Sequence, residues 1–184
     1  MDPNPERAVE LASEAISAFL PRYQEHWLAG MREKLGISGH EDSDLDLVRD
    51  LLQAMHENAA DFTLTFRRLC AAAADETADA DARGLFANPG AYDSWAMRWR
   101  SRLAIDGREP NERAKAMRDV NPAFIPRNHR VEQALDAAID NADFSPFADL
   151  LTILSRPYDD QPAFAEYANP PKTGERVFRT FCGT

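Results

Sequence analysis

The chain has 184 residues, with 21 Lys and Arg against 31 Asp and Glu, and a formal net charge of −10. This length fits one domain that buries about 70% of the surface of an extended chain, enough for a core without disulfides. The acidic charge argues against sequence-independent nucleic-acid binding, and no stretch approaches the ~18 continuous apolar residues of a membrane span.

The first predicted element is an amphipathic helix, because apolar residues recur at spacings of three and four. Its stripe comprises Val9, Leu11, Ala12, Ile16, Phe19 and Leu20. Pro21 then either kinks this helix or begins a second one, since proline lacks the amide donor and clashes with the preceding turn. The periodicity continues from Tyr23 to Leu35, and Gly36 can adopt the left-handed conformation that ends a helix.

An acidic segment at residues 38–46 precedes the next predicted helix. Asp42, Asp44 and Asp46 alternate as the first ligands of a calcium loop do, but Leu47 stands where that loop needs Gly, and Gln53 where it needs Glu. The pattern favours a solvated cluster at a helix amino terminus, where carboxylates complement the helix dipole.

One long helix is predicted from this cluster to the alanine run at 71–74, capped by Ser43 or Asp44 and with Asp61 in its interior. Cys70 is expected to be a small apolar filler within it. Residues 75–90 lose the periodicity and contain Asn88-Pro89-Gly90, which predicts a surface loop.

Two helices are predicted next, an aromatic-rich one from Tyr92 to Leu103 and another from Pro110 to the Asn121-Pro122 break. Trp95 and Trp99 lie four residues apart, so they share one helical face and are expected to anchor the core.

A further helix follows Pro126, and its predicted buried stripe comprises Val131, Leu135, Ala138 and Ile139. Ser145 and Pro146 are typical of a cap and a first helical position, and Arg156-Pro157 ends that last helix. Asp143-Phe-Ser145 lacks the glycine of a kinase metal loop and is interpreted as a turn between helices. We therefore expect an all-α, irregular multi-helix single domain, 1–184, with an extended tail at about 157–184.

Three polar sets remain as functional candidates. Arg127 and Asn128 are expected to pin their turn to the aromatic helix; alternatively, Arg127, Arg130 and Arg156 face a phosphate or an acidic peptide. A complete small enzyme would have to use His129 with Asp136 or Asp143. The four histidines show no metal-ligand spacing, so no metal site is predicted.

Several ordered motifs together resemble the carboxy-terminal end of the selenoprotein O (SelO) family. They comprise Asn121-Pro-Ala-Phe-Ile-Pro-Arg-Asn128, Arg156-Pro-Tyr-Asp-Asp-Gln-Pro162 and Thr180-Phe-Cys-Gly-Thr184, with weaker likeness at Trp27–Gly36 and Asp61–Arg67. The resemblance implies the helical end of a protein-kinase-like fold, in a family that transfers AMP from ATP to protein hydroxyls. Members end with a cysteine or selenocysteine near the carboxy terminus, the place that Cys182 holds here.

The resemblance also implies that the glycine-rich loop, the nucleotide-pairing Lys and the metal-binding Asn and Asp would lie before Met1. The chain alone is then expected to be inactive, without a catalytic, cofactor or metal site of its own, while the full-length protein binds ATP with Mg or Mn. Its expected partners are the missing amino-terminal kinase-like lobe and, through the whole enzyme, protein substrates. Cys182 would supply a redox-sensitive thiol to that lobe.

The alternative function is a stand-alone helical interaction module that self-associates or recruits a partner through an exposed apolar face. The two cysteines form no Cys-x-x-Cys pair, and the start lacks a basic region followed by an apolar run, so we expect a cytoplasmic location.

Overall fold

The structure is a computed structural model that describes residues 5–177. Eight α-helices lie in this range, and no strand does, which confirms the all-α prediction. They are α1 (Pro5–Lys34), α2 (Asp44–Glu57), α3 (Phe62–Ala72), α4 (Asp79–Arg83), α5 (Pro89–Ile105), α6 (Pro110–Val120), α7 (Asn128–Asn141) and α8 (Ser145–Leu154). Among the described residues, none of these helices is both long and apolar enough to cross a bilayer.

Helix α1 is continuous for 30 residues, about 45 Å, and contains Pro21 in its interior. The helix therefore does not end at Pro21, and no second helix begins there. Gly36 ends the helical segment with φ +68°, as its position predicts. A Cβ there would lie 2.6 Å from Met117 Sδ, so glycine also permits the close approach of α6.

The single helix predicted from residue 44 to the alanine run is wrong, because the chain turns between α2 and α3. Asn58 Nδ2 donates to the Ala54 carbonyl at 2.8 Å, and Ala59 adopts φ +51°. Asp61 then caps α3 by accepting from Leu64 N at 2.8 Å, so it is not in a helix interior. The apolar periodicity continues across this turn, which conceals it in the sequence.

The segment predicted as a surface loop at 75–90 contains a 3-10 helix, Glu76–Ala78, and the short helix α4. Ala82 and Phe86 within it are buried in the core. Asn88 then caps α5 by accepting from Gly90 N, and its own amide donates to Asn58 Oδ1 at 2.7 Å. These bonds tie the segment to the end of α2.

The main core is formed by α2, α3 and α5 together with the carboxy-terminal end of α1 and with Met117 of α6. Trp95 and Trp99 are buried and stacked with ring centroids 5.3 Å apart, as predicted for core anchors. Their indole N–H groups donate to the Leu47 and Leu35 carbonyls, each at 2.9 Å. The two tryptophans thus join α5 to α1 and α2 through both packing and hydrogen bonds.

A smaller second core lies between residues 123–124, α8 and the tail, and is built around Ala123, Phe124 and Ile153. The amides of Ala123 and Phe124 both donate to the Pro157 carbonyl, at 2.8 and 3.1 Å. The tail also carries two 3-10 helices, Pro162–Ala168 and Thr173–Glu175, and the first of them packs against this core.

The buried stripe predicted for α7 is wrong for Leu135 and Ile139, which are exposed, whereas Val131 and Ala138 are half-buried. Ala134, outside the predicted stripe, is the buried apolar residue of the helix. Helix α7 ends at Ala142, which adopts φ +53°, and the predicted turn between helices follows. Ser145 is the first residue of α8 rather than its cap, and Asp143 Oδ1 accepts from both the amide and the hydroxyl of Ser145.

Candidate functional site

The carboxy-terminal end of α1, here called its base, is fixed by the carboxylate of Asp44, which the sequence pattern predicted to be exposed to solvent. Asp44 is fully buried and is held by two guanidinium groups, from Arg32 of α1 and Arg102 of α5. Arg32 Nε lies 2.6 Å from Oδ2, and Arg102 Nε lies 2.7 Å from Oδ1. The prediction of a solvated acidic cluster is therefore wrong for Asp44.

Burial by itself raises the pKa of Asp44, but hydrogen bonds from Arg102, the Glu41 amide and Arg32 outweigh burial and hold the pKa below its ordinary value. Asp44 thus stays ionised and locks α1, α2 and α5 together. The alternating aspartates gave no signal of this role, because the two arginines lie 12 and 58 positions away in the chain.

A second fixation point is the buried side chain of Asn121, at the Asn-Pro break after α6. Its Nδ2 donates to the Lys34 carbonyl at 2.9 Å, and Lys34 Nζ donates back to Oδ1 at 3.2 Å. Arg67 of α3 donates to the Asn121 carbonyl at 3.0 Å and pairs with Asp160 of the tail. Asn121 therefore connects the end of α1 to α3 and α6, and Arg67 extends this network to the tail.

Arg127 has a structural partner, but the partner is not the aromatic helix that the sequence suggested. It pairs with both carboxylate oxygens of Asp61, at 2.8 and 3.0 Å, and so binds the cap of α3. The pairing also helps to hold the pKa of Asp61 below its ordinary value, against the opposing effect of burial. The capping role of Asp61 could have been predicted locally, because an Asp directly before an apolar helix is a typical N-cap.

The arginines that could face a phosphate or an acidic peptide already have partners. Arg130 lies 3.7 Å from Glu166 and stacks over the Tyr167 ring at 5.0 Å, while Arg156 lies 3.9 Å from Asp159. With Arg127 on Asp61, all three contact the protein itself, which favours the structural interpretation.

Residues 6–26 of α1, the projecting segment, lie amino-terminal to Arg32 and Lys34, the two residues through which the helix is fixed to the core. Every side chain in it is exposed except those of Ala8 and Ala18, which are partly buried. Large apolar side chains nevertheless follow one face of the segment, and each is between 55% and 75% exposed. This apolar row of α1 comprises Val9, Ile16, Phe19, Leu20 and Tyr23.

The helix therefore presents an amphipathic face that no other described residue covers. Monomeric proteins rarely leave contiguous apolar surface of this kind without a partner. Leu11 was expected in the same stripe, but its spacing from Val9 and Ile16 puts it on another side of the helix.

The predicted redox residue, Cys182, lies outside the described residues. Cys70 is buried on α3, where its thiol donates to the Phe66 carbonyl at 3.2 Å and receives the Asn121 amide at 3.6 Å. Burial raises the pKa of the Cys70 thiol, which favours the neutral form. The filler role predicted for Cys70 is confirmed.

The structure does not bring His129 together with Asp136 or Asp143, the residues that a complete small enzyme would have to use. His129 is buried at the start of α7, and burial lowers its pKa. Within residues 5–177 no hydrogen bond or ion pair joins it to Asp136 or Asp143, and Asp143 is engaged by Ser145 in the turn before α8.

Asp106, directly after α5, makes the stability of the folded chain sensitive to acid. Burial raises its pKa, but four hydrogen bonds, from the Ser38 amide and hydroxyl, the Arg108 amide and Arg113, lower it to about 2 from an ordinary 3.8. A pKa depressed by folding means that the ionised group stabilises the folded state above pH 4. This contribution is lost as the pH falls from about 4 to 2.

We therefore expect the free energy of unfolding to fall by on the order of 2 kcal/mol between pH 4 and 2 on account of Asp106 alone. Urea unfolding at a series of pH values measures this slope. Asp106→Asn should flatten it, while Asp119→Asn, at an exposed position of α6, should leave it unchanged. Equal slopes in all three proteins would contradict the assignment.

Comparison with known proteins relates the chain to nucleotidyltransferases. The family model described as "Protein adenylyltransferase SelO" matches residues 8–155. A "Protein nucleotidyltransferase YdiU" of Rhizobium johnstonii is 55% identical over 184 residues, all of this chain and 37% of the relative. The Rhizobium etli (strain CIAT 652) protein of that name is 56% identical over the same shares, and the Nitrobacter hamburgensis protein is 50% identical over 97% of this chain and 35% of its own length. The chain thus spans little more than a third of these relatives.

Proposed function

Because the chain belongs to the SelO family of protein adenylyltransferases, we propose that it is the carboxy-terminal helical region of an enzyme that transfers AMP from ATP to Ser, Thr or Tyr hydroxyls of proteins. The observation that carries this proposal is the match over the whole chain to relatives nearly three times as long. The region then acts as a rigid helical support for the part of the enzyme that holds the nucleotide.

The described residues do not assemble a ligand cluster of the kind that holds a divalent metal ion. No three His, Cys, Asp or Glu side chains converge in residues 5–177. The buried carboxylates of Asp44 and Asp106 are held by arginines instead of being directed toward an open site. We therefore assign ATP and Mg or Mn binding to the rest of the enzyme and derive no catalytic step from these helices.

The proposal predicts that AMP transfer requires more than this chain. The 184-residue protein and the full-length Rhizobium johnstonii relative would each be incubated with labelled ATP, Mg or Mn and a protein acceptor. We expect label on protein with the relative, and none above background with the chain alone. Transfer by the chain alone would overturn the division of labour, and absence of transfer by the relative would overturn the proposed activity.

We also propose that Cys182 is a redox-regulatory thiol of the full-length enzyme. The chain has two cysteines, and Cys70 is buried beneath Asn121 and Phe66. A disulfide between Cys70 and Cys182 would require the core to open, so the proposed partner is a cysteine in the rest of the enzyme.

The second candidate function is a stand-alone helical interaction module, which the uncovered apolar row of α1 favours. In that case the isolated chain should form dimers or bind a separate protein through α1. Light scattering over a range of concentrations distinguishes the two functions, because a support region with its cover elsewhere in the same polypeptide does not require a concentration-dependent oligomer.

A further inference from the structure

We propose that the projecting segment of α1 is a docking helix whose apolar row is covered by the rest of the same adenylyltransferase polypeptide. The inference rests on the proposed function and names the partner of one particular surface. Its cover is expected to be an apolar groove bordered by basic side chains.

A helix obtains most of its stability in water from packing an amphipathic face, and residues 6–26 have such a face without described contacts to cover it. Phe19 and Tyr23 stack on one another with centroids 6.1 Å apart, so the two rings form one aromatic surface within the row. This surface suits a groove in another protein segment.

The projecting segment of α1 is held in a fixed direction by contacts at its carboxy-terminal end. Arg32 on Asp44 and Lys34 on Asn121 attach the last turn of α1 to the core through part-buried hydrogen bonds. Because the helix is continuous from Pro5 to Lys34, those contacts set where the apolar row points. A preset direction suits a surface whose partner is always present in the same molecule.

The remaining polypeptide suits the apolar row better than a second copy of the chain does. About two thirds of each relative lies outside the region that matches this chain, which provides ample surface to cover the row. The segment carries four Glu against two Arg, and one of the two, Arg7, pairs with Glu10 within the helix, so the segment has a net negative charge. Two copies paired along their rows would bring like charges together, whereas a basic border would complement them.

Hydrogen exchange measured by mass spectrometry tests the docking. The 184-residue chain and the full-length Rhizobium johnstonii relative would be labelled under the same conditions. We expect the amides aligned with residues 6–26 to exchange at least about tenfold more slowly in the relative, at every protein concentration. Equal exchange in both proteins would overturn the proposal, as would slowing in the isolated chain that grows with its concentration, which would identify a second copy as the cover.

A matched pair of substitutions ties the protection to the apolar row. They would be made in a full-length chimera in which this chain replaces the matched region of the relative. Ile16→Glu should restore fast exchange in residues 6–26, while Leu11→Glu, the same kind of change on another side of the helix, should leave the protection in place. Equal effects of the two changes would refute docking through the row.

AMP transfer by the same unsubstituted relative separates this inference from the proposed function. Protection without AMP transfer would leave the docking intact and remove the activity. AMP transfer without protection of residues 6–26 would support the activity and contradict the docking.

Discussion

Asp44→Ala is expected to lower the free energy of unfolding by about 3–5 kcal/mol, because it leaves two buried guanidinium groups without their carboxylate. The side chains of Arg32 and Arg102 are only 12% and 6% exposed, so water cannot replace the lost partner without opening the core. Arg102 would retain its hydrogen bond to the Ser38 carbonyl, whereas Arg32 would lose its ion pair altogether. Urea unfolding followed by tryptophan fluorescence measures the change.

The control for Asp44 is Asp42→Ala, the same chemical change two residues earlier at an exposed position. It should alter the free energy of unfolding by less than about 0.5 kcal/mol. If the two substitutions have similar effects, the buried ion pair does not secure the base of α1.

Trp99→Ala should be as damaging, with an expected loss of about 3–5 kcal/mol from the cavity that remains in the main core. Trp99 is fully buried, stacks on Trp95 and donates to the Leu35 carbonyl. Trp99→Phe keeps much of the ring packing but leaves that carbonyl without its donor, so about 1–3 kcal/mol should be lost. Thermal and urea unfolding of both variants give the two values.

Met97→Ala is the matched control for Trp99, because Met97 lies on the same helix with its side chain 68% exposed. Its effect should stay within about 0.5 kcal/mol. A loss for Trp99→Ala no larger than that of this control would show that the tryptophan pair does not hold α5 against α1 and α2.

Local signals in the sequence predicted several helix boundaries well. Pro110 begins α6, Gly36 ends the α1 segment, and Trp95 and Trp99 share a buried face, as their spacing requires. Each of these features depends on a few neighbouring residues, since proline and glycine act through their own backbone and helical spacing fixes which side chains align.

The misses have a common physical origin in contacts between distant segments. Periodicity shows that a helix has an apolar face, but it does not show what covers that face. Ile139 of α7 and Ile16 of α1 were both placed in regular stripes, and both are exposed. Asp44 likewise followed an acidic pattern typical of solvent, while its neutralising partners come from α1 and α5.

Family resemblance was the stronger guide to function, because ordered motifs such as Asn121–Asn128 carry information that composition does not. The structure adds what those motifs do in this chain. Asn121 is a buried connector between α1 and α3, and Arg127 binds the cap of α3. Cys182, the residue that resemblance alone singled out, lies outside the described residues.

The division into two cores sets an order of assembly during synthesis. All side chains of the main core have been made once Met117 has been added. Phe124 must wait for Ile153 and Tyr167 before its own core can form. A nascent chain can therefore close around Trp95 and Trp99 while its last third is still being translated, and the tail is added to a preformed platform.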